Sequence, residues 1–196
     1  EKSNLILDSG YTAGYRKTTA TKKAGDKSHL FAKWIKDFKG KNNSENRIEL
    51  NLQNVSDDKY LKLHRLKSDL TNYNQEVIEN SLKFLHEDDN MFLGAKATVY
   101  ETLKSSYNDK YEYILPEITL DTNLFSSERY GNADLEANLK LHKYDTNKLS
   151  KFLVNDIDWR HKEFNLSPSI KSRLLGKIKN VNSETKNISI YEDVIG

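Results

Sequence analysis

Cysteine is absent from this chain. That excludes a disulfide scaffold, thiolate metal clusters and thiol catalysis. Proline and glycine are scarce, 2 and 8 residues out of 196, which excludes collagen-like and polyproline segments. An excess of one charge is also missing: 31 Lys and Arg face 29 Asp and Glu, a formal net charge of +2, so nothing draws the chain generally toward nucleic acid. No apolar run approaches the roughly 18 residues of a membrane-spanning helix. A membrane β-barrel stays open on this evidence, because its strands are polar on one face and carry a weak hydropathy signal. The mean hydropathy of −0.80 does not separate such a barrel from a sheet in water. The chain begins at Glu1, with no basic stretch leading into an apolar core, and reads as a processed product or a cut-out piece.

What is present argues for a folded chain. Apolar residues make up 36% and charged residues 31%, with 11 Tyr, 7 Phe and 2 Trp to build a core. The length suits one domain or two small ones.

The dominant pattern has a period of two. Ile48, Leu50 and Leu52 alternate with Arg47, Glu49, Asn51 and Gln53. Ala133, Leu135, Ala137, Leu139 and Leu141 alternate with Asp134, Glu136, Asn138, Lys140 and His142. Successive side chains of a strand point to opposite faces, so each segment has one apolar and one polar face. Met91, Leu93, Ala95, Ala97 and Val99 make a third clean face. Weaker copies run over 29–38 (with Lys36 intruding), 60–66, 78–84, 111–124 (Ile114, Pro116, Ile118 and Leu120 aligned), 153–159 and 170–178. Ile188 and Ile190 begin a last one. Leu61, Leu66, Leu70 and Val77 tempt a helix over 58–85, but Asn72, Asn74 and the alternation argue against it. Polar punctuators at 40–44, 56–58, 86–90, 130–132 and 180–187 read as turns. The expected fold is all-β: an antiparallel meander of about nine or ten strands joined as sequential hairpins.

Such strands fit an antiparallel sheet with one solvated face, and equally a membrane barrel with a polar lumen. Tyr100, Tyr111, Tyr113, Tyr130, Tyr144 and Trp159 lie near expected strand ends. Membrane interfaces favour such residues, and so do ordinary strands.

Chemistry is thin. No phosphate loop, dinucleotide fingerprint, HExxH or GxSxG motif occurs. His29, His64, His86, His142 and His161 are far apart and read as solvated residues. Asp57-Asp58 and Asp88-Asp89 read as soluble turns rather than cation sites. Asp156 and Asp158 share a strand face without a base or nucleophile beside them, which is weak support for a hydrolase. Arg16-Lys17 and Lys22-Lys23 are short basic clusters able to meet phosphate-rich lipid or simply to flank a loop. No catalytic, cofactor-binding or metal-binding residue is assigned, no cofactor is expected, and the chain does not read as an enzyme.

A family resemblance runs over most of the chain, best over 90–160. Residues 108–118, Asn-Asp-Lys-Tyr-Glu-Tyr-Ile-Leu-Pro-Glu-Ile, resemble the P-x-x-L-P-E segment of the lipopolysaccharide-assembly outer-membrane proteins, also called organic solvent tolerance proteins. Tyr130-Gly131, the strand over 133–142, Tyr144-Asp145-Thr146-Asn147 and the stretch from Asn155 to Trp159-Arg160 resemble the barrel that follows. Residues 8–15 resemble another piece of it. The resemblance implies that residues 1–196 are an incomplete segment of a large outer-membrane β-barrel. It implies a role in transport and insertion of lipopolysaccharide into the outer leaflet. The partners implied are lipopolysaccharide, a plug lipoprotein, periplasmic bridge proteins and outer-membrane lipid, with no nucleic acid. On that reading Asp134, Glu136, Asn138 and Lys140 wall a polar path, while Leu135, Leu139 and Leu141 face lipid. The alternative is a soluble or surface antiparallel β-sheet module that binds a protein or polysaccharide. That reading expects charged residues on both faces at the sheet edges.

Overall fold

Alternation becomes strand along most of the chain. The computed structural model describes residues 1–15, 25–104 and 106–188, so Arg16-Lys17, Lys22-Lys23 and Ile190 lie outside the described residues. The main strands are β1 (Lys2–Tyr15), β2 (Gly25–Lys39), β3 (Glu45–Val55), β6 (Val77–Glu87), β7 (Met91–Thr102), β8 (Tyr111–Ser127), β9 (Gly131–Tyr144), β10 (Leu149–Arg160) and β13 (Leu175–Lys186). Two excursions interrupt them. The first holds a one-turn helix α1 (Tyr60–His64) and the hairpin β4 (Lys67–Ser68) and β5 (Thr71–Asn72). The second is the hairpin β11 (Phe164–Ser167) and β12 (Ile170–Ser172). The nine long strands form one antiparallel sheet in the order β1-β2-β3-β6-β7-β8-β9-β10-β13. The meander expected from the sequence is therefore present.

Its closure is not. Among the described residues β1 pairs only with β2, and β13 only with β10, so the sheet is open and the expectation of a β-barrel segment is corrected. The physical reason is that alternation reports two unlike faces. Closure requires a ladder between the first and last strands, which no local pattern encodes. Among the described residues, no helix is long and apolar enough to cross a membrane.

Three local expectations also change. Residues 60–64 are helical rather than extended, and Tyr60 and Leu61 are the residues α1 buries. Residues 180–186 continue β13 rather than forming a turn. A register shift between Ile114 and Glu117 places Ile114 opposite His142 but Ile118 opposite Leu139, so the two isoleucines face opposite sides.

Register shows how the faces differ. One row runs Ile48, Phe84, Ala95, Ile118, Leu139, Leu153 across six strands. A second runs Leu5, Trp34, Leu50, Leu82, Ala97. The opposite face carries cross-strand ion pairs: Arg47–Asp37 at 2.6 Å, Lys33–Glu49 at 3.3 Å, Lys96–Glu79 at 3.2 Å and Lys179–Asp156 at 3.0 Å. The buried apolar cluster sits at one end of the sheet. Phe31, Tyr60, Leu61, Ile78 and Leu103 form it, with Val55, Leu66 and Leu70 packed around.

Candidate functional site

The first excursion exists because the β3–β6 ladder stops early. It runs from Glu45↔Glu87 to Asn51↔Ser81 and no further. Beyond it the Asn80 side chain stands in for a strand: its Oδ1 accepts the Gln53 N–H at 2.8 Å, and its Nδ2 donates to the Gln53 carbonyl at 3.1 Å. Gln53, itself buried, then latches the insertion. Its Nε2 donates to the Leu70 carbonyl at 2.8 Å, and its Oε1 accepts the Glu79 N–H at 3.0 Å.

Helix α1 enters through a turn in which the Tyr60 N–H donates to the Asp57 carbonyl at 2.9 Å. The Tyr60 hydroxyl lies 3.0 Å from His29 Nδ1, and His29 Nε2 lies 3.3 Å from Asp8 Oδ1. The Ser68 hydroxyl first, and then His29, hold the Asp8 carboxyl below the usual aspartate range, with burial opposing them. Asp8, His29, Tyr60 and Ser68 thus tie β1, β2, α1 and β4 together. Lys27 and Asp57 add an ion pair at 3.2 Å, with side chains only 7% and 10% exposed.

Between β1 and the β4–β5 hairpin lies a groove of about 600 Å³. Ile6, Leu7 and Asp8 line one side, and Leu66, Leu70 and Tyr73 the other. Asp8, Lys67, Ser68, Asp69, Thr71 and Asn72 give it polar groups beside these apolar ones. Tyr60 and His29 are buried, which keeps that polar relay away from solvent.

The sequence-derived candidates scatter. His29 and His64 approach the same residue, Tyr60, whose ring centroid is 5.4 Å from the first and 4.6 Å from the second. Neither matches the solvated role expected: His29 is buried, and His64 Nε2 is a buried atom with no hydrogen-bond partner among the described residues. His86 bonds Asn46 at 2.8 Å, His142 pairs with Glu112 at 2.6 Å, and His161 meets the Arg129 carbonyl at 3.0 Å. Among the described residues no group of three His, Asp or Glu side chains is placed to hold a metal ion. Asp57 is not a solvated turn residue, since it pairs with buried Lys27. Asp58 reaches Lys110 at 3.3 Å. Asp88 accepts the N–H groups of Asn90 and Met91, both at 2.9 Å, as a turn residue does. Asp156 and Asp158 are each paired with a lysine, Lys179 and Lys177, across to β13. Asp8, Gln53, Tyr60 and Asn80 were not singled out as site residues. Asn80 did carry a signal, as the polar member of an otherwise apolar face.

Comparison with family models, with curated proteins and with solved structures gives no match. The resemblance to the lipopolysaccharide-assembly family is not upheld, and the open sheet removes the closed wall on which it depended. The lipopolysaccharide-transport role and the outer-membrane location are corrected with it. Short strand motifs mislead here because alternating Tyr, Leu, Asn and Asp recur wherever a sheet has one apolar and one polar face.

Proposed function

We propose that this chain is an antiparallel β-sheet binding module that takes an extended polypeptide segment as an added strand along β1. The supporting observation is a contrast between the two edges. β13 carries Lys177, Lys179, Glu184 and Lys186, charges on both faces, of the kind that blunts an edge against pairing. The 14-residue β1 carries only Lys2 and Asp8, contains no proline, and exposes Leu5 and Leu7. Alternate residues of β1 direct their N–H and C=O groups away from β2, which leaves half a ladder available. The groove borders this edge and not the other. A strand added there gains main-chain hydrogen bonds from β1. Side chains on one of its faces enter the groove beside Leu66, Leu70 and Tyr73, and those on the other continue the row beginning at Leu5. The ligand class is an extended segment with apolar residues at alternate positions.

The test uses an acetylated, amidated nine-residue peptide alternating valine and threonine, with one lysine, followed by fluorescence anisotropy. A matched peptide carries N-methyl groups on alternate amides. The expected result is saturable binding that weakens at least tenfold on methylation. Equal binding of the two peptides, or none by either, overturns the proposal.

A further inference from the structure

The apolar face extends well beyond the edge site, which touches only its margin at Leu5. Its rows cross β1, β2, β3, β6, β7, β8, β9 and β10 with little interruption by charge. Leu5, Leu30, Leu52, Leu82, Phe125 and Leu153 are all exposed on it. Helix α1 and the β4–β5 hairpin pack mainly over the other side, against His29, Phe31 and Gln53; Ile78, at the end of β6, joins their cluster, and Leu82 and Phe84 stay outside it.

We infer that this face is covered by the same face of a second copy of the chain, in a face-to-face sheet dimer. The area of the face supports such a dimer. Eight strands spaced by about 4.8 Å give a width of about 40 Å, and three to four side-chain rows give a height of about 20 Å, roughly 800 Å² per copy. Contiguous apolar patches on monomers rarely exceed about 300–600 Å². A standard stable interface buries about 800 Å² per partner. Sheets pack face to face at about 10 Å with their strands some 30° apart, a geometry that a two-fold axis generates from a single surface. Asn155, Asn180 and Asn182 continue the face toward β13. These amides tolerate a wet protein interface, whereas hydrocarbon leaves them without partners. The ion pairs Lys33–Glu49, Arg47–Asp37, Lys96–Glu79 and Lys179–Asp156 sit on the opposite face, while Lys151–Glu184, at 2.8 Å, lies at the β13 margin of the apolar face.

The test is sedimentation equilibrium of the whole chain in buffer without detergent. Three proteins are compared: the wild type, Leu82→Lys combined with Leu153→Lys, and Val181→Lys on the opposite face as control. Circular dichroism confirms that each retains its sheet. The inference expects twice the 22.7 kDa chain mass for the wild type and for Val181→Lys. The double variant is expected to dissociate at least a hundredfold more readily. A wild-type monomer at about 50 μM, roughly fiftyfold above a micromolar dissociation constant, overturns it. So does a dimer that survives the double substitution, the behaviour of pairing through the β1 edge. Disruption by Val181→Lys overturns it as well. If a variant loses its sheet, cross-linking between the wild-type faces through Cys introduced at Leu82 decides instead: an 82–82 cross-link supports the dimer, and its absence in the presence of a dimer refutes it. Absence of the face-to-face dimer leaves peptide binding at β1 intact, whereas a dimer paired through the β1 edge competes with the peptide, so the two proposals fail distinguishably.

Discussion

Asn80 and Gln53 share two hydrogen bonds, one from each end of the Asn80 amide to the main chain of Gln53, at 2.8 and 3.1 Å. A side chain here does the work of a strand, and it allows α1 and the β4–β5 hairpin to leave the sheet without orphaning the backbone. Asn80→Leu removes both partners from a buried residue and is expected to cost about 2–4 kcal/mol. Urea denaturation measures this. A loss below about 0.5 kcal/mol contradicts the role assigned to Asn80.

Lys27 and Asp57 form a nearly buried ion pair at 3.2 Å. Removing one charge strands the other, so Asp57→Ala is expected to destabilise by about 3–5 kcal/mol. Replacing both, Lys27→Met with Asp57→Leu, is expected to recover most of that loss, because a buried pair is worth little more than apolar contact. Thermal unfolding of the three proteins distinguishes this from an additive effect.

Asp109 gives a pH signature. The Thr146 hydroxyl, then Lys148 at 3.0 Å and the Thr146 N–H at 3.0 Å, hold its carboxyl below the ordinary range against the opposing effect of burial. A folded-state value below the unfolded one, about 3.9, means the carboxylate form favours folding. That contribution is present above the unfolded value and is lost as pH falls through the folded one. The wild type should therefore lose stability below about pH 4 more steeply than Asp109→Asn. Equal slopes in urea midpoints across pH 5 to pH 2, the span over which such carboxylates titrate, would count against it.

Gly131 has φ +80°, and an added Cβ would lie 2.0 Å from the Arg160 carbonyl oxygen. Gly131→Ala combines a left-handed backbone with a backbone clash, so a loss of about 2 kcal/mol or more is expected. A denaturation midpoint within error of the wild type would show that the β8–β9 turn relaxes freely beside the end of β10.

The strands at 47–53, 91–100 and 133–142 were legible because each separates apolar from polar residues over at least seven positions. Helix α1 was not, since five residues are too few to show a 3.6-residue period, and Leu61 and Leu63 mimic alternation. The end of β13 was hidden for the opposite reason. Asn180 to Lys186 is polar or half-exposed on both faces, so an edge strand there looks like a loop. His29 alternates correctly onto the polar face of β2, yet Tyr60, 31 residues away, encloses it. Burial of that kind is set by tertiary contact, which a single strand's pattern does not carry. Closure is non-local in the same way, and the barrel expectation failed there.

The open β1 edge is the central claim, and amide hydrogen exchange tests it most directly. In the free chain, alternate amides of residues 3–11 should exchange rapidly while their neighbours, bonded to β2, are protected. Adding the valine–threonine peptide should protect the rapid set and leave β13 unchanged. Uniform protection along β1 before the peptide is added, or peptide-induced protection confined to β13, would contradict the account.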